Sequence, residues 1–160
     1  MTQAISKHER NLSALIHAST FSKYFIPFGN LILPLIFWTA NKKNHSFVDL
    51  NGKRALNFQI SLLLYSLLIG VFTLPFIVGF IPELFHHGFV NLLNLNEFNG
   101  LNFNLDFDHT GFGRVLWPLG IAALIQSGLF IINIVYTILA TIRTGEGQEF
   151  KYPISIPFIK

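Results

Sequence analysis

Two long runs of uncharged residues dominate the hydrophobic pattern of this chain. Residues 55–82 and residues 115–142 each extend for 28 positions without a charged side chain. As a helix rising about 1.5 Å per residue, each run would be about 42 Å long, which exceeds the ~30 Å hydrocarbon core of a bilayer. We therefore predict two long transmembrane helices, at about 55–82 and 115–143.

The N-terminal third of the chain is apolar in shorter, interrupted stretches. Residues 24–41 carry no charge, but Pro27, Gly29 and Pro34 break the run, and Pro27 to Asn30 has the composition of a turn. We predict two short helices, at about 9–26 and 28–41, that form a hairpin entering and leaving the membrane on one side. The alternative is that residues 9–22 lie in the interface as an amphipathic helix.

The distribution of basic residues favours the hairpin. With the hairpin, the N-terminal tail, the polar loop 42–54 and the C-terminal tail share one side, and ten of the eleven Lys and Arg residues lie there. Only Arg114 falls on the other side. Because basic residues are retained in the cytoplasm, we predict a multi-pass protein of the bacterial cytoplasmic membrane with both termini cytoplasmic.

The remaining segments are polar or irregular. Residues 83–114 form an acidic outer loop, in which the alternation at 101–108 is typical of a strand. Asn51-Gly52 in the loop 42–54 is a turn signal. The tail 144–160 contains Pro153 and Pro157, so we expect it to be extended.

Composition supports an all-α integral membrane helical bundle in a single domain, 1–160. Apolar residues make up 51% of the chain and charged residues 12%, whereas soluble domains carry about 25% charged residues. The chain has no Cys, which excludes disulfides, thiol catalysis and thiolate metal sites. The outer loop holds plausible ligands for Zn or Mn, namely Glu83, His86, His87, Asp106, Asp108 and His109. They match no established metal-ligand spacing, so we expect a solvated or interfacial loop and no metal site. No nucleophile–base arrangement is visible, so we expect no enzymatic activity, no cofactor and no nucleic-acid partner.

Polar residues inside the long helices are the first candidates for function. They recur every seven residues or lie at a helix end, and they are Asn57, Gln59, Ser66, Thr73, Gln126 and Asn133. Such stripes allow close helix packing and interhelical hydrogen bonds. The alternative is a polar path or binding pocket between helices.

The second candidates are the basic residues that flank the first long helix, Lys42, Lys43, Lys53 and Arg54. Their position predicts contacts with lipid headgroups, or with an acidic partner. Asp49 is expected to pair with Lys53 or Arg54 and so to hold this segment in place.

Several motifs occur in an order that resembles one known family. They are Asn11 to Leu15, Phe25 to Asn30, Leu33-Pro34, Trp38, Phe47 to Asp49, Gly52-Lys53, Ala55 to Gln59 and Tyr152-Pro153. The chain is similar to small bacterial membrane proteins of a domain-of-unknown-function family related to the twenty-kilodalton subunit of the chloroplast inner-envelope protein translocon. The resemblance covers nearly the whole chain apart from 83–114, where relatives have a shorter connection. It implies three or four helical membrane segments and no settled activity for the bacterial members.

These observations lead to two functional hypotheses. The first is a transport- or protein-translocation-related membrane component, by analogy with the chloroplast relatives. The second is a structural or interaction module that assembles with itself or with a larger membrane complex. In both cases the lipid bilayer is the primary partner.

Overall fold

The computed structural model describes residues 5–83 and 112–160, and in these residues all regular secondary structure is helical. The α-helices are α1 (Lys7–Ser19), α2 (Gly29–Asn41), α3 (Ser46–Glu83) and α4 (Phe112–Gly145), with a 3-10 helix at Thr20–Tyr24 after α1. Two short helices followed by two long ones confirm the predicted all-α class. The expected strand at 101–108 lies outside the described residues, as do the histidines and acids of the predicted outer loop other than Glu83, which ends α3.

A capping box fixes the start of α1. The Ser6 hydroxyl accepts a hydrogen bond from the backbone N–H of Glu9 at 3.2 Å, and the Glu9 carboxylate accepts one from the backbone N–H of Ser6 at 2.8 Å. These bonds satisfy two N–H groups that have no partner within the helix. The same contacts with Ser6 lower the pKa of Glu9 below its usual value.

The turn between the two short helices depends on a close backbone approach. Phe28 adopts the left-handed conformation, with φ of 58°, directly before α2 begins at Gly29. A Cβ atom at Gly29 would lie 2.8 Å from the Ser22 carbonyl carbon. Since this distance is too short for any side chain, the close approach requires glycine. The turn therefore brings α2 back against α1 and the 3-10 helix, and all three pack together.

Helix α3 begins at Ser46, nine residues before the predicted start at residue 55. The predicted turn at Asn51-Gly52 is wrong, because both residues are buried within this helix. Asn51 donates a hydrogen bond from Nδ2 to the Phe47 carbonyl at 2.8 Å, one turn earlier. Gly52 leaves room for the Trp38 indole, since a Cβ atom there would lie 2.2 Å from the Trp38 Cδ1 atom. Tertiary packing thus overrides the local turn propensity.

The two long helices carry stretches that are long and apolar enough to cross a membrane, at Ser46–Gly79 and Trp117–Gly145. Only 6% and 11% of their most apolar windows are buried. The core helix of a soluble protein would be mostly buried, whereas here large side chains such as Phe72 and Leu124 are 74% exposed. This is the pattern of lipid-facing helices.

The chain forms two compact units, Met1–Tyr65 with Leu129–Lys160, and Ser66–Gly128. The first unit holds two apolar clusters. One is formed by Ile16, Trp38, Val48, Ala55 and Leu56, and the other by Phe58, Leu62, Ala140 and Tyr152. The buried polar side chains of the described residues belong to the same unit.

The C-terminal tail contains no helix and lies along α3 within the first unit. The Tyr65 hydroxyl donates to the Ile154 carbonyl at 2.9 Å, and the Ile156 N–H donates to the Ser61 hydroxyl at 2.8 Å. Ile159 then contacts Asn57. Since the contact positions on α3 run from 65 back to 57 as the tail proceeds, the tail turns near Pro153 and returns along the helix.

Candidate functional site

Three side-chain amides form a continuous hydrogen-bonded chain across three helices. Gln59 on α3 is 1% exposed, and its Oε1 atom accepts from Asn30 Nδ2 on α2 at 3.0 Å. Its Nε2 atom donates to Asn133 Oδ1 on α4, also at 3.0 Å. Thr137 adds a hydroxyl bond to the same Asn133 oxygen at 3.2 Å. The network therefore joins α2, α3 and α4 at one level.

The network consists of neutral amides, which limits its possible roles to hydrogen bonding. An amide donates and accepts hydrogen bonds but does not titrate, so the Asn30–Gln59–Asn133 chain is not a proton relay. Bonds between polar side chains of membrane helices typically contribute about 0.6–2 kcal/mol each. Both ends of the Gln59 amide are bonded to neighbouring helices, so the arrangement holds α2, α3 and α4 together.

The second unit contains one further pair from the predicted stripe. Gln126 Nε2 donates to the Ser66 hydroxyl at 3.1 Å, and Gln126 is exposed. Thr73 is different, because its hydroxyl bonds the Ile69 carbonyl of its own helix at 2.9 Å. The seven-residue spacing thus predicts residues that form hydrogen bonds between helices, such as Gln59 and Ser66. It does not show that Thr73 bonds only within its own helix.

Asn57 contacts the tail instead of another helix. Its Nδ2 atom donates to the Ile159 carbonyl at 3.0 Å, while its Oδ1 atom accepts from the Ile159 N–H at 2.8 Å. One amide side chain therefore satisfies both backbone groups of Ile159, as a neighbouring β-strand would. Asn57 is 6% exposed, so this contact excludes water.

His17 is a buried site residue that no pattern in the sequence indicates. Its Nδ1 atom lies 2.9 Å from the Tyr152 hydroxyl, and its Nε2 atom lies 3.2 Å from Asn51 Oδ1. The Asn51 amide nitrogen already donates to Phe47, so Asn51 Oδ1 accepts and His17 Nε2 carries the proton. It follows that Nδ1 accepts from the Tyr152 O–H. Complete burial lowers the pKa of His17 to about 4 and keeps the ring neutral.

Tyr152 fixes the tail through its ring as well as its hydroxyl. The ring stacks on Phe58 with centroids 4.0 Å apart and an interplanar angle of 12°, and Phe150 packs edge-on at 5.1 Å. Burial raises the pKa of the Tyr152 hydroxyl above its usual value, so it remains a hydrogen-bond donor. In the sequence this site is indicated only by the Tyr152-Pro153 motif, which does not predict that Tyr152 contacts His17 and Phe58.

Two of the predicted headgroup residues pack around Trp38. Lys53 Nζ lies 2.6 Å from Asp49 Oδ2, as the sequence analysis expects for Asp49. The other Asp49 oxygen, Oδ1, accepts from Trp38 Nε1 at 2.8 Å, and Lys42 Nζ lies 4.4 Å from the Trp38 ring centroid. These cations are therefore already in contact with protein groups.

The other two predicted headgroup residues differ from each other. Arg54 pairs with Glu149 at 2.9 Å and donates to the Phe150 carbonyl at 3.2 Å, which ties α3 to the start of the tail. Lys43 is exposed and makes no ion pair within the described ranges. In residues 5–83 and 112–160, no group of three or more His, Asp or Glu residues is arranged to hold a metal ion.

The fold and these contacts define a small helical membrane protein whose buried polar side chains bond mainly to one another and to the tail. Residues 8–159 match the magnetosome magnetite crystal formation protein family, and the chain belongs to this family. No curated protein and no solved structure matches it. The match confirms that the chain belongs to a small bacterial protein family, and it does not show the expected relation to the chloroplast translocon subunit.

Proposed function

We propose that this protein is a structural component of the membrane around a forming magnetite crystal, and that it assembles with itself or with a larger membrane complex. The observation that carries this proposal is the Asn30–Gln59–Asn133 chain, in which both ends of the central amide bond neighbouring helices. Family membership supplies the process, magnetite crystal formation. The exposed apolar faces of α3 and α4 are surfaces that fit lipid and other membrane helices.

The same contacts support a topology for the proposed role. His17 of α1 and Tyr152 of the tail meet Asn51 and Phe58 near the start of α3, so the N-terminal helix and the tail share one side. Nine of the eleven Lys and Arg residues lie in these segments, in the connection between α2 and α3 or at the end of α4, and the exceptions are Lys23 and Arg114. By the positive-inside rule this side is cytoplasmic, in a bacterial cytoplasmic membrane or a compartment continuous with it.

The test is genetic and biochemical. A magnetite-forming bacterium that lacks the gene is complemented with the wild type, with Gln59→Leu, or with Gln126→Leu as a matched control. We expect altered crystal size or number without the gene, recovery with the wild type and the control, and reduced recovery with Gln59→Leu. Crystals unchanged by loss of the gene would overturn the proposed role.

Assembly is tested separately in lipid. Native mass spectrometry from nanodiscs is expected to show oligomers or a stoichiometric membrane partner. A protein that is monomeric and alone at every concentration would overturn the assembly proposal, even if the crystals depended on the gene.

A transport- or translocation-related role is the second candidate. It is favoured by two polar pairs that α3 and α4 share, Gln59 with Asn133 and Ser66 with Gln126. The exposed Gln126 also places a polar side chain on an apolar helix. Proteoliposomes loaded with potassium or ferrous ions would then show flux that Gln126→Leu abolishes. Flux equal to that of protein-free vesicles would exclude both ions as substrates.

A further inference from the structure

The turn between the 3-10 helix and α2 is apolar and exposed. Phe25 is 88% exposed and Phe28 is 65% exposed, while Tyr24 and Ile26 are each 48% exposed. Turns that face water are usually built from Gly, Asn, Asp, Ser and Pro, whose side chains are small or polar. Two exposed Phe side chains flank this turn, so its natural surrounding is an apolar medium.

The helix that follows this turn is too short to cross a bilayer. Helix α2 has 13 residues, about 20 Å at 1.5 Å per residue, against about 30 Å of hydrocarbon. Helix α1 also begins with Lys7, Glu9 and Arg10, which favour water or headgroups. Because the chain returns through α2, the hairpin has the dimensions of an element that enters the bilayer and leaves it on the same side.

A contact with α4 gives the depth of the turn. The Tyr24 ring packs edge-on against the Phe130 ring with centroids 6.3 Å apart. Phe130 precedes Arg143 by 13 residues on the same helix, which is about 20 Å along its axis. With Arg143 at the headgroups, the turn lies about two thirds of the way through the hydrocarbon.

Lys23 holds the turn at this depth. Its Nζ atom lies 5.0 Å from the Tyr24 ring centroid and 5.8 Å from the Phe130 ring centroid. Aromatic faces attract a cation where water is scarce, and the lysine stem packs along apolar surface. The lysine therefore contacts α4 through the Phe130 ring, beside the Tyr24 ring of the turn itself.

We propose that the α1–α2 hairpin is a re-entrant element whose tip, Tyr24 to Phe28, inserts among the lipid acyl chains, passes the bilayer midplane and stops near the level of Phe130. The binding partner of this surface is the hydrocarbon of the bilayer. The proposal does not depend on magnetite formation or on assembly with other proteins.

Single cysteines provide the test, because the chain has none of its own. Phe25→Cys is labelled with the environment-sensitive NBD group in phosphatidylcholine–phosphatidylglycerol vesicles that carry nitroxides at the headgroup or at acyl carbon 12. The controls are Asn44→Cys, on the connection between α2 and α3, and Val71→Cys, on the apolar part of α3. Phe25 is 88% exposed, so this substitution leaves the core intact.

We expect the label at position 25 to be quenched at least twofold more by the acyl-chain nitroxide than by the headgroup nitroxide, as at position 71. The label at position 44 is expected to show the reverse order. Stronger quenching from the headgroup at position 25 would place the hairpin on the membrane surface and overturn the proposal. Reaction of Phe25→Cys with an impermeant maleimide from the face opposite Asn44→Cys would show crossing and also overturn it. Phe28→Cys repeats the test at an independent position.

Discussion

His17 and Tyr152 are hydrogen-bonded to each other, with Nδ1 and the phenolic oxygen 2.9 Å apart, although 135 residues separate them in the chain. The His17 ring is fully buried, and Tyr152 is 2% exposed. The bond joins the first helix to the tail across α3. Residues of the N-terminal helix and of the C-terminal tail are therefore buried against each other.

Removing the Tyr152 hydroxyl is expected to destabilise the protein. Tyr152→Phe keeps the stack on Phe58 but leaves the buried His17 Nδ1 atom without a donor, which costs about 1–3 kcal/mol. The free energy of unfolding in detergent measures this loss. Tyr136→Phe is the control, because the Tyr136 hydroxyl has no hydrogen-bond partner in the described part of the chain. Equal stabilities for the two variants would contradict the assigned bond.

Stability is expected to fall at acidic pH because His17 is buried in its neutral form. Its pKa is about 4 in the folded protein, compared with 6.5 for an unperturbed histidine, so between these values only the unfolded chain binds the proton. The contribution of neutral His17 to the free energy of unfolding is fully present above pH 6.5 and is lost as the pH falls to about 4. This loss amounts to about 3 kcal/mol. Unfolding measured from pH 7.5 to 4 tests this. His17→Gln is expected to lack this part of the pH dependence, and an unchanged slope would refute the assignment.

The sequence predicts well the helical class and, within residues 5–83 and 112–160, the two short and two long helices, because uncharged runs and their lengths are local properties. It predicts the start of α3 poorly, since Asn51-Gly52 is favourable in a turn and becomes helical only through contact with Trp38. Pairing of Gln59 with Asn133 follows the seven-residue spacing. The His17–Tyr152 contact could not be predicted, because no periodicity relates residues so distant in the chain.

Substitution of Gly52 by alanine is expected to disturb the contact between α2 and α3. The new Cβ atom would lie 2.2 Å from Trp38 Cδ1, so the indole must move and its bond to Asp49 is lost. Overpacking of this kind costs about 1–3 kcal/mol. Gly70→Ala is the matched control, because a Cβ atom there meets nothing within 4 Å. A thermal midpoint lowered equally in both variants would argue against the steric explanation.

Loss of the central amide is expected to weaken the helix junction. Gln59→Leu leaves the Asn30 Nδ2 donor without its acceptor, and it removes one of the two hydrogen bonds that Asn133 Oδ1 accepts. The expected cost is about 1–3 kcal/mol. Gln126→Leu removes a single bond at an exposed position and should cost less. Unfolding of the two variants in the same lipid–detergent mixture compares them. A larger loss for Gln126→Leu would contradict the importance of the buried network.

Asn57 is expected to control the order of the tail. Asn57→Ala removes both bonds to the backbone of Ile159, whereas Ser61→Ala removes the one bond to Ile156. We therefore expect faster hydrogen exchange at the Ile159 amide, and faster carboxypeptidase digestion, in Asn57→Ala than in Ser61→Ala. Exchange at wild-type rates in Asn57→Ala would show that the aromatic contacts of Tyr152 hold the tail without this clamp.

The environment of Trp38 provides an intrinsic spectroscopic reporter. The chain has two tryptophans, of which Trp38 is 7% exposed and hydrogen-bonded to Asp49, whereas Trp117 is 64% exposed. Replacing Trp117 by phenylalanine leaves one indole, placed where α2 crosses Gly52. Its emission wavelength then follows the opening of a single helix–helix contact, without any attached dye.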